Sequence, residues 1–196
     1  MIAAAAGLAI AGQGVASATT ITPHGGEHVT ATGTSTPALH LATNGHTLDC
    51  YTFEAEGNTP TAAGDDTITL QQNAINISYC YLDGTVPTTV TVNDDATLSV
   101  DYNGGSPQGT LSIPDGGITA VASDATGTCT LAVHQSDVGP VAYDNATGKA
   151  AAVNASGVEF TSTKSGSLSC PDSDTALATT TLQLDLDDGS HPQVGA

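Results

Sequence analysis

The sequence predicts an all-β fold: a disulfide-stapled antiparallel β-sandwich, Ig-like or jelly-roll-like, of about eight to ten strands. Apolar and polar residues alternate with a period of two in many short runs, and turn signals rich in Gly, Asn and Asp separate these runs. After the first residues, no stretch has the apolar spacing of a capped amphipathic helix. Each such strand has one apolar face that a second sheet must cover, which favours a sandwich.

The expected strands follow one another along the whole chain. The alternation is clearest in Thr181–Leu186, where three leucines share one face and polar residues occupy the other. Turns such as Asp83-Gly84 and Asn103-Gly104-Gly105 end the runs. The absence of a fixed repeat period disfavours a solenoid or a propeller. In chain order, we expect strands at residues 48–53, 67–70, 75–81, 88–92, 98–102, 129–133, 157–161, 167–170 and 181–186.

Residues 1–18 are typical of an export signal peptide. Ala3–Ala11 form a short apolar run, and Ala16-Ser17-Ala18 supplies the small residues of a cleavage site. The run is too short to span a bilayer, and it departs from the pattern because no Lys or Arg precedes it. We expect a secreted, extracellular protein, free or associated with the cell surface, with no integral membrane segment in the mature chain.

Three further segments follow the signal. Residues 19–37 are a polar N-terminal arm rich in Thr and Gly, which forms either a flexible spacer or a first edge strand. Residues 38–187 contain the alternating runs and are the expected β-sandwich domain. Residues 188–196 are polar and follow the last run, so we expect a flexible tail.

The charge of the chain is one-sided. Twenty Asp and Glu residues oppose only Lys149 and Lys164, and the formal net charge is -18. Nucleic acids and anionic membrane surfaces are bound by clustered Lys and Arg, so both partners are excluded. The excess of acid is typical of a soluble protein that repels its own copies.

Four cysteines in an exported chain predict two disulfides, because oxidising compartments favour their formation. They are Cys50, Cys80, Cys129 and Cys170, and their wide spacing fits no CxxC zinc or redox motif. Three connectivities are possible from sequence. We favour Cys50–Cys80 with Cys129–Cys170, because each bridge then joins segments of the same half of the chain.

Neither the histidines nor the turn aspartates form a strong metal motif. His24 and His28 flank two glycines and Glu27, which is not the HExxH helix of a zinc site. The segment 185–189 resembles the opening of a calcium loop, but no Glu follows at the twelfth position. We expect turn aspartates that bond their own backbone, and no metal or other cofactor. The weaker calcium candidates are Asp65, Asp66, Asp94, Asp95, Asp185, Asp187 and Asp188.

The sequence indicates no enzyme. No GxSxG motif presents an activated serine, and a Ser-His-Asp set drawn from so many such residues has no specificity. The chain contains no Trp, 2 Phe and 5 Tyr. Because sugars stack on aromatic rings, this scarcity disfavours glycoside hydrolysis and also carbohydrate binding.

The order of short motifs resembles that of small secreted bacterial β-rich proteins, common in actinobacteria, which are similar to the alkane-oxidation activator PraB. The resemblance implies a secreted or surface β-sandwich without known catalytic residues, with a role at the cell surface or in contact with hydrophobic substrates. The motifs that carry the resemblance are Thr30–Gly33 (TATG), Leu48–Cys50 (LDC), Ile77–Cys80 (ISYC), Gly127–Cys129 (GTC), Tyr143–Gly148 (YDNATG) and Ser167–Cys170 (SLSC).

We therefore expect a non-catalytic extracellular or cell-surface protein, structural or adhesive, that acts by surface contact or by self-assembly through strand exchange. Residues 19–37 are the candidate donor strand, because an exposed sheet edge can pair with a strand from a neighbour. The partners would be copies of the chain itself or cell-surface components. The alternative is an extracellular binding module for a small ligand, Ca²⁺ or a secreted enzyme.

Overall fold

The fold is all-β and antiparallel, as predicted. A computed structural model of the chain describes residues 19–103 and 106–195, so the predicted export signal, residues 1–18, lies outside the described residues. A single 3-10 turn, Gln72–Ala74, interrupts the strands of this part of the chain. The described strands are β1 (Thr20–Thr22), β2 (His28–Gly33), β3 (Leu39–Thr43), β4 (His46–Asn58), β5 (Thr67–Leu70), β6 (Asn76–Leu82), β7 (Val86–Val92), β8 (Ala96–Asn103), β9 (Ser106–Ile113), β10 (Ile118–Asp124), β11 (Gly127–Val133), β12 (Ser136–Asp144), β13 (Lys149–Gly166), β14 (Asp174–Leu186) and β15 (Gln193–Gly195).

These fifteen described strands outnumber the predicted eight to ten. Several of the unpredicted strands contain Gly or Pro, which interrupt the alternation and are typical of turns. In β9, Gly109 is required because a Cβ atom there would lie 2.6 Å from the carbonyl oxygen of Ser99 on β8. In β12, the pairing register shifts between Gly139 and Val141, as in a β-bulge. Gly and Pro, which predict turns when the sequence is considered alone, therefore lie within strands of this fold.

Thirteen strands form one large sheet that folds back on itself in a sandwich-like arrangement, and β1 and β15 form a separate two-stranded sheet. The pairings close into two circuits that share β4, β13 and β14. The first circuit runs β3, β4, β6, β7, β10, β11, β13, β14 and back to β3. The second runs β2, β4, β5, β8, β9, β12, β13, β14 and back to β2. Each strand of a circuit thus has a partner on both sides.

Parts of the predicted arm, residues 19–37, and of the predicted tail, residues 188–196, form strands that pair with other strands. Strand β2, from the predicted polar arm 19–37, lies between β14 and β4, and its Val29 is 0% exposed. Strand β15, from the predicted tail 188–196, pairs with β1, and its Val194 is buried. The few apolar residues of these segments lie among many Thr and Gly residues, so the local sequence does not predict that they are buried. Pairing with strands distant in sequence buries them.

The predicted strand at residues 167–170 is a loop. Strand β13 ends at Gly166, and β14 begins at Asp174. Leu168 is nevertheless buried, and Cys170 is bonded to Cys129 on β11. The alternation in this segment therefore reflects two anchoring residues of a loop, because such anchors produce the same local pattern as a short strand.

The two disulfides join Cys50 to Cys80 and Cys129 to Cys170, which is the favoured pairing. One large apolar cluster fills the interior of both circuits, and a small cluster surrounds the second disulfide. Many core positions on β13 and β14 are alanines, among them Ala152 and Ala178.

Among the described residues, no helix is long and apolar enough to cross a membrane.

Candidate functional site

An apolar cavity of about 120 Å³ lies within the core. The inner faces of strands from both circuits line it, with aliphatic side chains and the two phenylalanines, Phe53 and Phe160, forming most of the wall. The polar residues of the lining are Thr43, Thr180 and His46. The site is thus suited to contact with an apolar molecule rather than to hydrogen bonding.

The cavity follows from small side chains on the shared strands. Ala150 and Ala152 of β13 and Ala176 and Ala178 of β14 all point into the interior and line the cavity. Protein interiors are normally packed as densely as organic crystals, so four alanines facing one space leave volume that larger residues would fill. The cavity therefore results from the small side chains at these inward positions.

The loop between β13 and β14, residues 167–173, contributes one residue to the lining of the cavity. Pro171 lines the cavity, and Leu168 packs in a small cluster with Leu82 and Ala122. The disulfide from Cys170 to Cys129 holds this loop against the inner face of β11. Since the loop follows the end of β13 and precedes β14, its covalent bond replaces the ladder hydrogen bonds that hold the other walls.

The buried polar groups near the core already have partners. The Thr180 hydroxyl donates a hydrogen bond to the carbonyl oxygen of Ala38 at 2.7 Å. The Tyr143 hydroxyl donates to the carbonyl oxygen of Pro192 at 2.6 Å, and burial raises the pKa of Tyr143 above its ordinary value. In the described part of the chain, no buried side-chain nitrogen or oxygen lacks a hydrogen-bond partner. The interior therefore offers shape and apolar contact.

His28, which follows Glu27 in the weak metal motif of the sequence, faces two carboxylates. His28 Nδ1 lies 2.8 Å from an Asp187 oxygen, and His28 Nε2 lies 3.5 Å from Glu56. The hydrogen bond with Asp187, opposed in part by burial, raises the pKa of His28 above its ordinary value. A raised pKa favours the protonated imidazole, which cannot ligate a metal. His28 thus ties β2 to the C-terminal segment.

The calcium candidates serve mainly as turn and capping groups. Asp95 accepts a hydrogen bond from the backbone N–H of Gln72 at 2.7 Å, and Asp66 accepts one from the Thr67 hydroxyl. Asp188 accepts hydrogen bonds from the Ser190 hydroxyl and backbone N–H, and these lower its pKa. Across residues 19–103 and 106–195, no group of three or more His, Cys, Asp or Glu side chains is arranged to hold a metal ion.

Sequence reasoning missed a second candidate site on the outer surface. Tyr51 on β4 and Tyr79 and Tyr81 on β6 lie on the outer face beside the Cys50–Cys80 bridge, and we name these three residues the tyrosine platform. The Tyr51 and Tyr81 rings meet edge to face with centroids 6.3 Å apart. The available signal was local, since these tyrosines flank both cysteines in the sequence.

The chain matches no protein-family model, no curated protein and no solved structure. The resemblance to PraB-like proteins therefore rests on the short motifs of the sequence alone. The function has to be argued from the cavity and from the tyrosine platform.

Proposed function

We propose that the protein is a non-catalytic extracellular binding module whose interior holds a small apolar molecule. The apolar cavity of about 120 Å³ is the observation that supports this function. A dry protein cavity of about 150 Å³ lined by Leu, Ile and Phe binds benzene. A compact ligand of about six carbon atoms is therefore the appropriate size.

The energetics favour an occupant. An empty cavity destabilises a protein by about 24 cal/mol for each Å³, so a space of 120 Å³ represents about 3 kcal/mol. A ligand that fills this space regains contacts with the cavity wall without leaving a polar group unpaired. We expect binding to stabilise the folded protein by mass action.

Other features support an extracellular setting. The two disulfides suit an oxidising compartment, and residues 1–18 have the pattern of an export signal. The resemblance to PraB-like proteins also implies contact with hydrophobic substrates. These features agree with the cavity as the functional site.

The proposal is tested with benzene as the probe and with a variant that fills the cavity. Ala178→Leu places a larger side chain on the buried cavity wall, whereas Ala132→Leu, its control, adds the same atoms to the half-buried outer side of β11. Saturating benzene should raise the melting temperature of the wild type and of Ala132→Leu by several degrees. Ala178→Leu should show little or no increase.

Two-dimensional NMR spectra of each variant establish that it is folded before the comparison is made. An equal increase for Ala178→Leu would place benzene elsewhere and overturn the proposal. The same conclusion follows if the wild type shows no benzene-dependent shift in either melting temperature or NMR signals.

Self-assembly through strand exchange is less well supported. Strand β2 is paired with both β14 and β4, so donation of residues 19–37 would break two ladders. Truncation before residue 34 should therefore abolish cooperative folding, measured by circular dichroism. A folded monomer after truncation, with an oligomer formed by the full mature chain, would instead support exchange of the arm.

A further inference from the structure

The few aromatic side chains are unevenly distributed. The sequence holds 2 Phe and 5 Tyr with no Trp. Phe53, Phe160 and Tyr143 are buried in the core. The three residues of the tyrosine platform instead share the outer face of β4 and β6. In the platform, Tyr51 is 52% exposed and Tyr79 is 72% exposed, which leaves large apolar rings in water.

Matching irregularities in two strands create the platform. In β4, two residues separate the buried Cys50 and Phe53, and in β6 two residues separate the buried Ile77 and Cys80. The pairing Cys50 with Cys80 and Thr52 with Ser78 places these irregularities at the same level of the ladder. As a result, Tyr51 and Tyr79 are both exposed on the outer face of these two strands.

Tyr79 occupies a backbone conformation that bulky residues rarely adopt, with a φ of 53°. Such a conformation persists only where the surroundings enforce it. Here the Cys50–Cys80 bridge and the ladder on both sides enforce it. The fold thus presents the Tyr79 side chain on the outer surface, where its ring is exposed.

Polar groups border the platform without adding positive charge. Asp49 pairs with Tyr81 across the ladder, and its carboxylate is hydrogen-bonded to the His40 ring. At the other side, the Asn76 amide lies 3.4 Å from the Glu54 carboxylate. Since the whole chain carries a net charge of -18, anionic partners are repelled. Exposed rings beside hydrogen-bonding carboxylate and amide groups match an uncharged ligand with many hydroxyls.

We propose that the tyrosine platform binds a neutral hexopyranose chain. The C–H faces of the sugars stack on the exposed tyrosine rings, because these rings have apolar faces and a polar hydroxyl. Asp49 accepts hydrogen bonds from sugar hydroxyls, and the Asn76 amide donates one. This site is separate from the interior cavity, and glycan binding there would run against the expectation that scarce aromatics disfavour carbohydrate binding.

Intrinsic fluorescence provides the test, because a chain without Trp emits only from its tyrosines. Cellohexaose and chitohexaose serve as probes, with co-sedimentation on cellulose and chitin as a second assay. Saturable changes in tyrosine emission are expected for the wild type with at least one of the two glycans. Tyr51→Ala and Tyr79→Asn should each weaken that binding about tenfold or more. Asn is chosen at position 79 because it tolerates a positive φ.

Tyr102→Ala is the matched control, since Tyr102 is an exposed tyrosine on β8, outside the platform. It should leave glycan binding unchanged, and all three variants should keep the benzene-dependent stabilisation of the wild type. Unchanged binding in Tyr51→Ala and Tyr79→Asn would overturn the proposal, as would no binding of either glycan by the wild type. A wild-type dimer that the two platform variants dissociate would make this face a contact between copies and also overturn it.

Discussion

The two disulfides stabilise regions of very different construction. Cys50 and Cys80 lie directly opposite each other on β4 and β6, and the ladder between these strands extends to both sides of the bridge. Cys129 on β11 is instead bonded to Cys170 in the loop 167–173, between the end of β13 and the start of β14. The first bridge thus reinforces an existing ladder, whereas the second takes the place of one.

Because of this difference, we expect both bridges to destabilise the unfolded chain, but only the second to order a loop of the folded protein. Both bridges close long loops, with sequence separations of 30 and 41 residues, so both restrict the unfolded chain to a similar degree. The second bridge also holds the loop whose Pro171 lines the cavity. Its loss should therefore change the folded state itself, while loss of the first should mainly change the unfolded state.

The largest effect is expected for Cys129→Ala with Cys170→Ala. Loss of the loop constraint should lower the free energy of unfolding by about 4 kcal/mol, and the freed loop should add to this loss. Hydrogen exchange of residues 167–173 should increase many-fold relative to the rest of the chain. Chemical denaturation and hydrogen exchange measure the two effects. Unchanged protection of the loop would contradict its dependence on the bridge.

Cys50→Ala with Cys80→Ala should have a slightly smaller effect, about 3.5 kcal/mol on the free energy of unfolding. Because the ladder between β4 and β6 remains, hydrogen exchange of residues 167–173 should stay as in the wild type. The same two measurements apply. If loop protection fell as much as in the other double variant, the proposed division between the two bridges would be wrong.

Leu168→Ala sharpens the comparison without removing a covalent bond. Leu168 packs with Leu82 and Ala122 beside the second disulfide, so its truncation should lower the free energy of unfolding by about 2–3 kcal/mol. Leu177→Ala is the control, since Leu177 on β14 is exposed and should change stability by less than about 0.5 kcal/mol. Similar losses in both variants, measured by urea denaturation, would show that Leu168 does not anchor the loop.

The smallest expected effect is on the pH dependence of stability, and it comes from Asp174, the residue that follows the same loop. The Asn44 amide donates a hydrogen bond to Asp174 at 2.8 Å, and this bond is the main cause that lowers the pKa of Asp174. Because the pKa of Asp174 is lowered on folding, its carboxylate stabilises the folded protein at every pH above the ordinary pKa of 3.8. This stabilisation is lost as the pH falls through the lower pKa of the folded state. Asn44→Gly, which tolerates the positive φ of 41° at this position, should therefore lower the urea midpoint slightly at pH 6, and this difference should shrink toward pH 2. A difference that is independent of pH would exclude Asp174 as its source.

The contrast between local and long-range features also describes what could be predicted. The strand Thr181–Leu186 was recognised because its inward leucines alternate within six residues, and β14 contains it. The sequence places β2 in a polar arm instead, since the burial of β2 depends on β14 and β4, which are distant in sequence. The platform was missed for a similar reason. An irregularity in one strand has no local signature, and only the register of β4 with β6 aligns two of them.

The sequence by itself determined the β class and the inward face of most strands, because alternation with a period of two is a property of neighbouring residues. It also favoured the cysteine pairing through simple proximity along the chain. Only the tertiary structure decided that the strand pairings close into two circuits. It also decided that alanines of β13 and β14 line the same cavity, and that three tyrosines lie on one surface. The reason is physical: these features arise from contacts between distant segments, and the free energy of such contacts is distributed over partners that no local pattern identifies.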